Sequence, residues 1–279
     1  MRADAALTRL RPLGRAGRRI GASDAAAGVA AIGGATVLWW LVTDGLGLIR
    51  PSTLAGPTAV IEAAARITAE PFAGQSLPGH VRDSLLRWAA GVAAAVGIGV
   101  PLGLAMGWYR AADAIVSPAF GVLRNIPPLA WIPLGILWFG TGPTTQAALV
   151  FVGAFPPCVL NAYRATREVD RYQIWAARAV GASSLRQLIE IVVPAGLPVI
   201  LAGVRIAFGN GWMAVVGAEL VGAPSGLGFM IVRGQQNLTP AVIVVGMAAI
   251  GLLGLVLDAL VVRLSRPFLR WRREVTADA

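Results

Sequence analysis

Three charged side chains stand inside long apolar runs and are the first candidates for chemistry: Arg124, Arg205 and Glu219. A charge held in hydrocarbon is destabilising by at least a few kcal/mol, so each such group faces a partner, a wet cavity or a passing ion. Arg124 and Arg205 could meet an anionic solute, or could be compensated by Glu219 or by backbone carbonyls. On one straight helix Arg205 and Glu219 lie within about 40° of a common face but roughly 21 Å apart, so neither is the other's direct partner. Other reactive types are scarce. All 24 basic residues are Arg, which removes Lys-dependent phosphate loops and Schiff-base chemistry. The single Cys158 permits no intrachain disulfide and the single His80 no paired-histidine metal site. No catalytic residue and no metal ligand is expected, and the lack of clustered His, Cys or acids disfavours a membrane-bound enzyme.

The elements that carry these residues are read from the uncharged runs. With 56% hydrophobic and 14% charged residues, the chain is too apolar for an ordinary soluble domain. Runs of 19 residues between Asp24 and Asp44, and 22 between Arg87 and Arg110, each suffice for a crossing helix. The 39 uncharged residues from Asn125 to Tyr163 are too many for one crossing, and Gly140-Thr141-Gly142-Pro143 supplies a turn between two. The expectation is an all-α polytopic membrane protein with about six transmembrane helices, near 25–43, 85–108, 114–139, 144–163, 195–220 and 235–257. A basic arm (1–24) precedes this membrane domain (25–262), and a tail (263–279) follows it.

Arginine placement sets the orientation. The arm carries Arg2, Arg9, Arg11, Arg15, Arg18 and Arg19, the tail Arg263, Arg266, Arg270, Arg272 and Arg273, and the loop 164–194 five more. Both termini and that loop are therefore expected on the cytoplasmic side. The net charge of +10 reads as membrane topology rather than nucleic-acid binding. Trp39, Trp40, Trp108 and Trp138 fall at span ends, as an interfacial belt would place them. The arm's apolar run is long and no small-residue cleavage pattern follows it, so the arm is expected to be retained.

Within loop 164–194, Gly181 is placed to end a helix begun near Asp170. Ser184 with Gln187 reads as a capping box opening a second helix, whose apolar stripe is Leu185, Leu188, Ile189 and Val192, and Pro194 and Pro198 should end or kink it. Small residues Ala176, Ala177 and Gly181 leave room for a close partner. Elsewhere, Pro127-Pro128 and Pro133 should bend the third span, and Gly209, Gly211 and Gly217 beside Trp212 allow close packing. Ile61, Ala64 and Ala65 in "AVIEAAARI" suggest a short amphipathic helix lying on the membrane or a partner.

The order Trp175-Ala176-Ala177, Gly181, Ile191, Pro194 resembles the cytoplasmic loop of ABC-importer permeases, spaced E-A-A-x3-G-x9-I-x-L-P. Trp175 stands where that family has Glu, and Val193 where it has Leu. "RNIPPLAWIPLGILWFG" and "AELVGAPSGLGFMI" are similar to the branch handling nitrate, aliphatic sulfonates and taurine. The resemblance implies a type I importer permease fold and a homodimer of permeases. It also implies a separate ATPase docked on Trp175, Ala176, Ala177, Gly181, Ala182, Ile191 and Pro194, and an extracytoplasmic solute-binding protein. ATP and magnesium would then sit on the partner ATPase, with no cofactor on this chain. The location implied is the bacterial inner membrane, in contact with lipid. The rival reading is an ion-coupled secondary transporter or channel acting alone.

The topology is tested by single-cysteine labelling in a Cys158→Ala background. Cysteines at Gln75 and Gln236 should react with an impermeant reagent added to intact cells, and cysteines at Gly14, Ala182 and Arg270 should not.

Overall fold

The computed structural model describes residues 22–269, with side chains from 26 to 268, so Arg2–Arg19, Arg270, Arg272 and Arg273 lie outside the described residues. By its internal contacts the chain divides after Thr58. The first unit holds α1 (Ala22–Trp40), which continues through a π-helical turn (Leu41–Gly45). There Asp44 accepts from the backbone N–H (3.3 Å) and hydroxyl (2.8 Å) of Thr58, capping the start of α2 (Pro57–Ala69).

The second unit is built on α3 (Leu77–Trp108), α6 (Pro143–Arg167) and α9 (Val193–Gly222). The sequence of α3 places a small residue at every fourth position: Gly91, Ala95, Gly99, Gly103, Gly107. That stripe seats α6, which answers with Val150, Ala154, Cys158, Ala162 and Thr166 in the same direction. The approach is backbone to backbone: a Cβ at Gly91 would stand 2.5 Å from the Ala147 carbonyl oxygen, and one at Gly107 2.6 Å from Thr166 Cβ. Between helices in lipid, close packing of small residues supplies the attraction that the hydrophobic effect supplies in water. The opposite side of α6 meets α9 running the other way, with Gly196 against Ala165 and Gly153 against Ala214.

Large aromatics lock the half of these helices that holds the start of α3 and the end of α9. Trp88 of α3 packs edge-on to Phe208 (5.0 Å) and Trp212 (6.4 Å) of α9. Its indole N–H donates to the Phe208 carbonyl, and that of Trp212 to the Ile250 carbonyl of α11 (Pro240–Ser265), both at 3.1 Å. No indole donor of this pair is left bare in an apolar interior.

Among the described residues, five helices are long and apolar enough to cross a membrane, and a sixth crossing exists if α4 (Arg110–Leu123) and the segment Pro128–Phe139, which contains α5 (Ile132–Phe139), count as one. The span expected at 114–139 is therefore not a kinked helix. Its halves meet at 90°, because Asn125 and Ile126 close tight turns on Val122 and Leu123 and the N–H-less Pro127 is extended. α3 also runs beyond the expected 85–108, carrying Arg82, Asp83 and Arg87 inside the helix. The segment between α9 and α11 is not open loop: α10 (Leu227–Gln236) buries Leu227 and Met230 in the core.

Three local expectations change. The cap of α8 (Ser184–Gln187) is Ser183, whose hydroxyl accepts from the Arg186 N–H at 3.4 Å, so no Ser184–Gln187 box forms. Pro194 and Pro198 do not end the helix: a π-helical turn (Leu188–Val192) joins α8 to α9 as one 39-residue segment. Pro194 stands inside this continuous segment, just after the π-helical turn, and lacking an N–H it leaves one carbonyl of that turn without its in-helix donor. Finally, α2 turns Ala63 and Ile67 into the core and leaves Ile61 outside, so its apolar face covers the helices of its own chain.

The seam makes Gly103→Ala the informative change, because a Cβ there would overlap the Val159 carbonyl and stand 2.8 Å from Ala162 Cβ. It should lower stability by about 1–3 kcal/mol, read as thermal unfolding in detergent. Gly97→Ala, with open space around it, should leave stability unchanged.

Candidate functional site

The three charges singled out in the sequence do not meet. Each has a different environment.

Glu219, 1% exposed near the end of α9, sits in a fully satisfied cluster. Its carboxylate accepts from Arg87 Nη1 (2.8 Å) and the Gly228 N–H (3.0 Å), and Ser84 Oγ lies 2.8 and 2.9 Å from its two oxygens. Arg87 also donates to the Ser225 carbonyl (2.7 Å) and hydroxyl (2.6 Å), and that hydroxyl donates to Asp83 (2.6 Å). The buried His80 accepts from the Gly226 N–H at Nδ1 (3.1 Å) and places Nε2 2.9 Å from the Phe72 carbonyl, which makes Nε2 the protonated nitrogen. The cluster binds α3 to the 223–226 turn and the start of α10. Gly226 is required there: its φ is +110°, and any Cβ would overlap the Glu219 carboxylate. Sequence reasoning missed these partners although His80, Asp83, Ser84 and Arg87 recur at helical spacing, a polar stripe on one face of α3.

Arg205 makes a two-pronged ion pair with Asp258 of α11, Nε to Oδ1 and Nη2 to Oδ2, both 2.8 Å. The two side chains are half-exposed at 54% and 53%. The fork geometry answers the question of its compensation with a residue just past the expected end of the last span.

Arg124 makes no ion pair with a described residue. It lines a cavity of about 390 Å³ at the break between α4 and α5, walled also by Pro127, Pro128, Asn210 and Met213. Pro156 and Pro157 of α6 lie on the same wall, and lacking N–H groups they leave the Val152 and Gly153 carbonyls without their in-helix donors. An unpaired guanidinium, an exposed amide and two released carbonyls are thus gathered in an otherwise apolar wall, the kind of broken-helix cavity in which membrane transporters hold solutes.

The loop residues fall on α7 (Arg171–Ala179), capped by Asp170, and the turn after it. Gly181 has φ +81°, the left-handed conformation expected of a helix-ending glycine. Trp175 and Ala176 are exposed, Ala177 and Ala182 half-buried. Trp175 is 56% exposed and stacks edge-on to Tyr172 at 5.5 Å, and Val180 beyond it is 84% exposed. Ile191 and Pro194 are absorbed in the helix that follows.

This architecture is that of a helical transport permease. Over residues 99–273 the chain matches the family described as binding-protein-dependent transport system inner membrane component, and it belongs to that family. It is similar to the taurine transport system permease protein TauC of Escherichia coli K12, 36% identical over 239 residues covering 85% of this chain and 86% of that protein. It is also similar to the putative aliphatic sulfonates transport permease protein SsuC of Bacillus subtilis 168, 32% identical over 233 residues, 84% of this chain and 83% of that one. The fold matches a chain of the inward-facing MetNI methionine ABC transporter with a TM-score of 0.62 at 23% identity, covering 70% of this chain and 96% of that chain. The protein is the multi-pass permease subunit of an ABC importer, with the type I permease fold.

Glu219→Gln keeps the shape of the cluster but leaves the buried Arg87 only the more distant Asp83, at 3.9 Å, as countercharge. Stability should fall by about 2–4 kcal/mol, towards the lower end of what breaking a buried pair costs because Asp83 and Ser225 still face Arg87, measured as thermal unfolding in detergent. Adding Arg87→Leu should recover part of that loss, since the poorly compensated charge is then gone.

Proposed function

We propose that this chain forms half of a membrane pathway for a small anion bearing a sulfonate or comparable group. The observation that carries this reading is the Arg124 cavity. Its guanidinium has no acid beside it among the described residues, and a passing anion would compensate it, presenting planar or tetrahedral oxygens that a guanidinium fork suits. The names of the two relatives, for taurine and aliphatic sulfonates, support the same class of solute.

In this reading a second copy completes the pathway as a homodimer, and an extracytoplasmic binding protein delivers the solute. ATP and magnesium are bound and used by a separate ATPase, so this chain itself is not an enzyme. Trp175, Ala176, Ala177, Gly181 and Ala182 form the seat of that ATPase. The exposed Tyr172–Trp175 pair supports this seat, since a large aromatic surface left to water marks a contact surface. With Trp175 in place of the family's Glu, the contact is apolar rather than ionic at that point. Nucleotide-driven movement of α7 would pass to α6 and α9, between which the loop is strung. Both termini and the loop face the cytoplasm of a bacterial cell, whose inner membrane holds the complex.

Arg124→Gln should reduce solute uptake by the reconstituted complex roughly 10- to 100-fold, the worth of a charged hydrogen bond, and leave basal ATP hydrolysis intact. Arg124→Lys should recover part of the uptake. Uptake by Arg124→Gln equal to that of the unmodified protein refutes the anion reading.

A further inference from the structure

A second basic site lies at the other end of the helices. At the C-terminal ends of α3 and α6, a cavity of about 340 Å³ is lined by Gly107, Trp108, Thr166, Arg167, Arg171, Arg178 and Ser184, with Ile174 between the last two arginines. Arg171 and Arg178 are seven residues apart on α7, hence within about 20° of one helix face, and Ile174 lies on that face half-buried. Tyr172 and Ala176 are exposed about 100° and 140° round the helix from Arg171, while Trp175, about 40° from Arg171, is exposed beside the stripe and does not line the cavity. The aromatic patch therefore adjoins the basic stripe on one short helix.

The charge balance of the cavity is positive. Arg167 is partly compensated, by Asp113 at 3.1 Å and by the Tyr163 ring and hydroxyl. Arg171 and Arg178 make no ion pair with a described residue. Asp170 is turned to the N–H of Tyr172 as a cap, and Glu168 lines a different cavity with it. The two hydroxyls at the floor are ordered: Ser184 accepts from Trp108 Nε1 at 2.8 Å, and Thr166 donates to the Ala162 carbonyl at 3.0 Å.

The geometry points to a binding site for an anionic phosphate group in this cavity, held by Arg171 and Arg178 with Arg167 as third cation. Its place at the ends of two membrane helices, beside a tryptophan of the interfacial kind, favours the headgroup of an anionic phospholipid over free phosphate, because basic pockets between helix ends at a membrane surface suit such headgroups. A lipid seated there would brace α7 against α3 and α6.

The test uses the full chain together with the subunits that accompany it, in phosphatidylcholine nanodiscs carrying phosphatidylglycerol as the probe. Native mass spectrometry should find phosphatidylglycerol retained over phosphatidylcholine. Arg171→Gln and Arg178→Gln should each weaken that retention about fivefold and together about thirtyfold, with Arg178→Lys close to the unmodified protein and thermal unfolding in phosphatidylcholine alone unchanged in all of them. Inorganic phosphate is the second probe: phosphate-dependent thermal stabilisation, lost in the double variant and without lipid selectivity, assigns the site to a soluble phosphate instead. Equal phosphatidylglycerol retention by unmodified and doubly substituted protein, with no response to phosphate, overturns the proposal. So does loss of an accompanying subunit from the double variant with lipid retention unchanged, since the arginines would then belong to a protein contact.

Discussion

The arrangement of the second unit depends on how closely the α6 backbone can be approached. Apolar side chains gain nothing by leaving lipid for one another, so helices associate through shape and close contact. The stripe Gly91–Ala95–Gly99–Gly103–Gly107 gives α6 that contact on one side, and Gly196 and Gly203 of α9 give it on the other. With α6 held between them, the start of α3 and the end of α9 are near enough for Arg87 to reach Glu219, and for Trp88 to wedge between Phe208 and Trp212. The ion pair follows from the packing and then fixes its register. A carboxylate with its three donors and a guanidinium with two carbonyl or hydroxyl acceptors have few alternative partners in that interior.

Where the packing is interrupted, the interruption is made of proline. Pro127 and Pro128 part α4 from α5, and Pro156 and Pro157 face that gap from α6. A proline inside a membrane helix is tolerated where the freed carbonyl finds a neighbour or a wet space, and here four prolines converge on one cavity with Arg124 in its wall. The same chain thus handles membrane charge in three ways. Arg87 and Glu219 are buried and saturated, Arg205 and Asp258 are paired on a half-exposed face, and Arg124 is left to the cavity.

At the opposite end, the loop between α6 and α9 is stiffened rather than slack. Asp170 and Ser183 cap its two short helices, Gly181 turns between them, and Trp108 ties the second to the end of α3. The second helix then runs without a stop into α9 as a continuous 39-residue segment. Under the proposed ATPase seat, such a connection would carry movement of the loop into α9.

Much of this was legible one residue at a time. The apolar runs mark an all-α polytopic membrane protein, because composition and helical period are local properties of the chain, and the family was legible as a resemblance carried by the Ala-Ala-x3-Gly spacing and two further blocks. The break near Pro127 was legible as a bend, though not its 90° angle, since proline forbids a helix locally while the direction of the departing chain is set by what it packs on. The charge partners were not legible. Arg87 and Glu219 are 132 residues apart, and Arg205 and Asp258 are 53 apart, so which guanidinium meets which carboxylate depends on the axial offset between helices. That offset is decided by backbone contact at glycines, where the distance of closest approach is a property of two helices together and of neither sequence alone.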